Sequence, residues 1–259
     1  MRLELSRALF VLPNVFTFSS ILCGFYAILL AGQAEGEGEA LYRAALLISF
    51  SMVLDTVDGR VARMTKTQSA FGVQIDSLAD IISFGVAPAI LLHRWVLQHL
   101  GAFGVMVAFI YLGCSAARLA RFNVLATDET SGRPKKVSPY IVGLPTPAAA
   151  GVVVSLVVAA HNLEREVSES AVVAAVGVLL LSTLMVSSVR FRSFKDLRFS
   201  MGTFVAVSAI LISGLWLSVR YHPAFALSWL FAAYVALALT EAVLRRVRPA
   251  KAGASGEGR

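Results

Sequence analysis

Four of the six aspartates in this 259-residue chain, Asp55, Asp58, Asp76 and Asp80, stand in stretches otherwise apolar enough to be read as membrane helices. The other two, Asp128 and Asp196, fall in loops. A charged side chain near the centre of a membrane helix costs about 2.5–3.5 kcal/mol even on lenient insertion scales, so each of the four needs a reason. Asp55 and Asp58 are three positions apart and Asp76 and Asp80 four apart, spacings that place each pair on one helix face. On antiparallel helices joined by a short loop, the two pairs meet at similar depth. Clustered carboxylates repel one another at low dielectric, and cations are the natural remedy. Hard oxygen ligands suit Mg2+ or Mn2+, and four carboxylates are enough for two ions. Such a pair of ions clamps a phosphate and stabilises the attacking and leaving oxygens of an in-line displacement. The competing structural reading is a set of interhelical hydrogen bonds, or ion pairs with Arg60 and Arg63.

The neighbours favour a phosphate. Gly59, Ala62 and Gly72 leave a face without bulky side chains, where a large headgroup can approach the backbone. Arg63 adds a fixed charge with the forked donor geometry that suits phosphate oxygens. Small residues also serve helix packing in membranes, so each of these positions is weak evidence alone. His93, His99, His161 and His222 all fall at the opposite membrane face in the topology below, which leaves a carboxylate or a metal-bound oxygen as general base.

The elements that position these groups are read from hydropathy. With 57% hydrophobic and 15% charged residues the composition excludes an ordinary soluble domain. Apolar stretches mark about eight helical spans, near 9–31, 42–63, 72–97, 102–121, 141–160, 170–189, 201–219 and 223–243. The expected fold is therefore all-α: a polytopic membrane bundle over 1–248, with a Gly, Ala and Ser-rich tail over 249–259 expected to be disordered. The first apolar run is too long for a signal-peptide core and is read as a retained span. With both termini in the cytoplasm, all but Arg43, Arg94, Arg165 and Arg220 of the 23 basic residues fall on the cytoplasmic side. The net charge of +7 thus follows topology and anionic headgroups, and no nucleic-acid partner is expected. Cys23 and Cys114 lie in apolar stretches and imply neither a disulfide nor a zinc site.

Written out, the stretch from Asp55 to Asp80 is D-x-x-D-G-x-x-A-R, eight further residues, then G-x-x-x-D-x-x-x-D. This pattern resembles the signature of the CDP-alcohol phosphotransferase family, whose members use four aspartates and two divalent metals to displace CMP from a CDP-linked donor by an alcohol. The resemblance implies that Asp55, Asp58, Asp76 and Asp80 are metal ligands, with Asp80 also the base. It implies too that Asp58, Gly59, Ala62, Arg63 and Gly72 line the CDP site. Beyond the signature, LPNVFTFSSILCGF, SFGVAPA, AARLARFN, GLPTPAAAG and RFRSFKDL resemble bacterial-type phosphatidylserine synthases. That implies CDP-diacylglycerol as donor, L-serine as acceptor, a multi-pass cell-membrane enzyme with its site facing the cytoplasm, and a homodimer.

Physical reading agrees with an amino-acid acceptor. Arg118 and Arg121, three apart at the cytoplasmic mouth, suit a serine carboxylate or a lipid phosphate, although positive-inside topology alone also puts arginines there. Asn14 and Thr17, also three apart, enter the same leaflet and are placed at the nucleotide or the polar substrate, with interhelical hydrogen bonding as the other reading. Two rivals stay open: the same chemistry with glycerol 3-phosphate or inositol phosphate as acceptor, and a cation transporter built on the intramembrane aspartates.

Overall fold

The computed structural model describes residues 2–34, 38–65, 70–126, 140–163, 170–188 and 190–192, together with 208, 209, 212–214, 216, 220, 229 and 233. The side chains of residues 2–13, Arg63, Ala70, 140–141, 162–163 and 190–192 are outside the described part. The described chain is helical apart from one short ribbon. In order it contains α1 (Arg2–Gln33), α2 (Gly38–Thr65), α3 (Ala70–Asp80), a π-helical segment (Ile81–Val86), α4 (Ala87–Trp95), a 3₁₀ turn (Leu97–Leu100), α5 (Ala102–Ala126), β1 (Tyr140–Val142), α6 (Thr146–Leu163), α7 (Ala171–Val186) and β2 (Arg190–Arg192).

Among the described residues, four stretches are long and apolar enough to cross a membrane: Asn14–Gln33, Gly38–Ala62, Phe71–Trp95 and Ala102–Leu125. Thr146–His161 and Ala171–Val186 are shorter apolar helices that coincide with the fifth and sixth expected spans. The seventh and eighth expected spans and the tail fall outside the described residues, except for isolated positions. Large apolar side chains such as Phe18, Leu22 and Phe25 on α1 and Phe103, Met106 and Phe109 on α5 are exposed. In water such a surface would be untenable over so many positions; against lipid tails it is the expected outer face.

Small residues let the helices close on one another. One core joins α1, α2, α4 and α6 through Ala27, Ala31, Ala44, Ala45, Ile48, Leu91 and Val154. A second joins α4, α5, α6 and α7 through Leu92, Val96, Val107, Tyr111, Val153, Ala175 and Met185. Helices α4 and α6 contribute to both, so they are the spine of the bundle. At the end away from the aspartates, Arg94 donates to the carbonyls of Ala31, Gly32 and Ala34. A guanidinium there satisfies the orphan carbonyls of the α1 C-terminus and opposes its dipole. Nearby, Glu39 pairs with Arg43 at 2.8 Å and lies 3.6 Å from His161, which stacks on Tyr42.

The third expected span, read as one helix over 72–97, changes register in its middle. The Ala87 amide donates five residues back, to the Ile82 carbonyl. Pro88 has no amide, so the Phe84 carbonyl loses the donor that an α-helix would offer it. The buried Tyr111 hydroxyl of α5 takes that place, donating to Phe84 O at 3.2 Å. Gly24 of α1 lets this segment press close, since a Cβ there would come within 2.7 Å of Ser83 Oγ.

The departure from a purely helical reading is the antiparallel pairing of β1 with β2, Tyr140 opposite Arg192 and Val142 opposite Arg190. It ties the segment before α6 to the segment after α7 at the aspartate end. Gly143 adopts φ of 80°, a left-handed value that suits glycine, and its Cα faces the Met185 carbonyl, where a Cβ would clash. The Leu144 amide then donates to Leu184 O at 3.0 Å, capping α7 from a neighbouring strand of chain. The expected fifth span, 141–160, therefore begins as ribbon and loop, and its helix starts only at Thr146.

Replacing Tyr111 with Phe keeps the apolar contacts but leaves the Phe84 carbonyl without its donor, a cost of about 1–3 kcal/mol for a buried polar group. The expected result is a lower unfolding midpoint in detergent, read by a thiol-reactive or fluorescence melt. A Tyr111→Phe melt that overlays wild type would refute this role.

Candidate active site

The aspartates lie where α2, α3 and the π segment meet α1 and α5. Ligand oxygens of Asp55, Asp58 and Asp76 all come within 4.8 Å of one another, Asp58 buried and the other two half-buried. Asp80, at the junction of α3 with the π segment, is outside that tight triad but within its electrostatic field, which also includes Arg118. Its Oδ1 is buried and has no hydrogen-bond partner among the described residues. Three hard oxygen donors in mutual reach, with a fourth carboxylate oxygen buried and unsatisfied beside them, fit a small divalent cation. Of the four aspartates expected to meet, the structure brings Asp55, Asp58 and Asp76 together across two helices and leaves Asp80 beside them.

The first helix holds the cluster directly. Thr17 Oγ1 donates to Asp58 Oδ2 at 2.9 Å, and both residues are only 5% exposed. Of the two readings open for Thr17, contact with a nucleotide or with another helix, the described contact is the interhelical one. Asn14 lies one turn earlier and is half-buried. One turn deeper from the aspartates, toward the bilayer interior, Ser20 Oγ is 2.6 Å from Ser51 Oγ and 3.5 Å from Ser83 Oγ. The hydroxyls of Ser51 and Ser83 also donate to the Ser20 carbonyl, at 3.2 and 3.1 Å. Ser51 precedes Asp55 by four residues and Ser83 follows Asp80 by three, so this trio anchors the same helix faces that carry the carboxylates. Nothing in the motif pointed to it, because isolated serines in membrane spans commonly bond their own helix.

On the α5 side, Arg118 is 8% exposed, donates from Nη1 to Thr146 Oγ1 at 3.3 Å, and lies over the Phe122 ring at 5.5 Å. Arg121 is exposed and donates to the Val186 carbonyl at the C-terminus of α7. The two arginines expected to act together thus have different surroundings: one faces the carboxylates, and the other caps a helix end. Asn123 Nδ2 donates to Ser77 Oγ at 2.9 Å, pinning α3 to α5 between Asp76 and Asp80. Gly59, Ala62 and Gly72 are half-buried. Arg63 sits in the last turn of α2, and its side chain is outside the described part.

With this geometry in place, comparison with known proteins is decisive: a family profile for CDP-alcohol phosphatidyltransferase matches residues 10–187. The chain belongs to that family. The match runs from α1 through α7 and includes every side chain described in the cluster. A protein of Helicobacter pylori named CDP-diacylglycerol–serine O-phosphatidyltransferase is 36% identical over 204 residues, covering 78% of this chain and 81% of its own length. A protein of the same name from Methanocaldococcus jannaschii is 31% identical over 190 residues, covering 73% and 78%. One from Mycobacterium bovis is 39% identical over 140 residues, covering 54% and 46%.

Removing the Thr17 bond should loosen the cation site while leaving the fold intact. Thr17→Val keeps the shape but offers Asp58 no donor, and loss of such a supporting contact typically lowers metal affinity about 10- to 100-fold. Mn2+ titration followed by electron paramagnetic resonance measures this; an unchanged binding curve would show that the bond has no bearing on the cluster.

Proposed function

We propose that this membrane enzyme transfers the phosphatidyl group of CDP-diacylglycerol to the hydroxyl of L-serine, giving phosphatidylserine and CMP. The observation that carries this reading is the partly buried acidic cluster on α2 and α3, in a chain whose bacterial and archaeal relatives bear the serine transferase name across most of their length. Asp55, Asp58, Asp76 and Asp80 would hold two divalent cations, Mg2+ or Mn2+, which when bound neutralise the diphosphate and polarise the phosphorus under attack.

The remaining steps are assigned to side chains of the chain itself. Gly59, Ala62 and Gly72 admit the CDP moiety against the backbone, Arg63 meets a phosphate oxygen, and Asn14 borders the nucleotide from α1. Thr17 serves the same site by fixing the orientation of Asp58. Arg118 holds the serine carboxylate and so aims the hydroxyl at the cluster. Arg121, by capping α7, keeps that wall of the mouth in place and offers a second charge to the incoming acid.

Asp80, at the boundary between α3 and the π segment, accepts the hydroxyl proton as the serine oxygen forms its bond to the phosphorus that bears diacylglycerol. The bond from that phosphorus to the CMP oxygen breaks, and CMP departs with the electron pair. Acyl chains stay in the bilayer throughout. The site faces the cytoplasm of a cell membrane, where the basic residues outside the spans concentrate, and two copies associate as a homodimer.

Purified protein incubated with CDP-diacylglycerol, Mn2+ and one acceptor at a time tests the reading: CMP release is expected with serine. Release with glycerol 3-phosphate or inositol phosphate but none with serine would overturn the acceptor, and cation flux in liposomes without CMP release would overturn the enzyme. Within the same assay, Asp80→Asn should abolish turnover while largely sparing CDP-lipid binding, whereas Asp55→Asn should also weaken metal binding. Full activity in both variants would refute the site.

A further inference from the structure

Asp80 Oδ1 is not alone in lacking a partner. Ser115 of α5 is 0% exposed, and its hydroxyl makes no hydrogen bond to any described residue. Helical serines usually satisfy themselves by donating to the carbonyl four residues back, as Ser49, Ser77 and Ser182 do here. Ser115 does not, although a hydroxyl buried at membrane depth gains more from a partner than one in water.

Its position is informative. Ser115 is three residues before Arg118, one turn deeper on the same face of α5. Across from it, a Cβ built on Gly85 would lie 3.2 Å from Ser115 Oγ and 3.0 Å from Ile81 Cδ1. Ser115 therefore faces Gly85 of the π segment that follows Asp80, one helical turn below Arg118. Gly85 contributes no side chain there.

We propose that Ser115 is a specificity-determining residue of the acceptor pocket, its hydroxyl accepting a hydrogen bond from the α-ammonium of the amino-acid substrate. A small zwitterion with one hydroxyl has three groups to place. Arg118 offers charge to the carboxylate and Asp80 Oδ1 an acceptor for the hydroxyl, which leaves the ammonium to meet a neutral oxygen. Ser115 provides that oxygen without adding another negative charge to a cluster that already holds four carboxylates. An acceptor bearing a phosphate and no ammonium would leave Ser115 unsatisfied, so the same hydroxyl discriminates against it.

This inference rests on the serine-transfer reading, and the test separates the two. Wild-type protein in nanodiscs is first assayed for serine-dependent CMP release; its absence would remove the serine-transfer reading itself. Given release, Ser115→Ala should raise KM for serine about ten- to hundredfold, the size of one hydrogen bond to a charged group, with kcat and KM for CDP-diacylglycerol little changed. Ser115→Thr, which keeps the hydroxyl, should recover most of the loss. An unchanged KM for serine in Ser115→Ala, an equal rise in both KM values, or no recovery in Ser115→Thr with an unaltered melt would overturn the assignment while leaving serine transfer standing.

Discussion

Like charges confined in a medium of low dielectric are the constraint on which this structure turns. Two unit charges 4.8 Å apart, the outer limit of the triad, repel by about 3 kcal/mol at an effective dielectric of 20. Three such carboxylates and a fourth beside them would push α2 and α3 apart unless neighbouring elements resisted. The resistance comes from short polar contacts: Thr17 to Asp58, the serine trio beneath, Asn123 to Ser77, and Arg118 supplying opposite charge from α5. None is strong alone. Together they tie α1, α3, α5 and the π segment to the one place where the molecule opposes itself, a cluster whose hard oxygen donors fit a divalent cation.

The carboxylate pairing was legible because helix geometry converts spacing into facing: three and four residues are one turn, and two apolar stretches joined by a short basic loop can only run antiparallel. Membrane embedding was legible for the same kind of reason, since uncharged runs near bilayer length have few other uses. The π segment was not. It arises from Pro88 withholding an amide and from Tyr111, 27 residues away, supplying a hydroxyl, and no local pattern announces so distant a partner. The β1–β2 ribbon was hidden likewise, because it pairs residues separated by the whole α6–α7 hairpin.

Arg118 and Arg121 show where spacing misleads. Their separation by three puts them on one helix face and suggested one task, yet long side chains a turn apart reach different partners. For Arg118 these are Thr146 and the acidic field; for Arg121 the partner is the frayed end of α7. Thr17 illustrates the converse. A hydroxyl in a membrane span has two ordinary fates, and only the packing of α1 against α2 selects between them.

The modest length of α6 and α7 has a consequence for the lipid around them. Their described apolar stretches, Thr146–His161 and Ala171–Val186, rise by about 24 Å at 1.5 Å per residue, against a hydrocarbon thickness of about 30 Å. Hydrophobic mismatch of this kind is relieved by local thinning of the bilayer. Such thinning would bring headgroups and water closer to the bundle beside the wall formed by Thr146 and Arg118. The acyl-rich donor diffuses within the bilayer plane, whereas a hydrophilic acceptor must descend from solvent, and a pinched leaflet on that flank shortens its path.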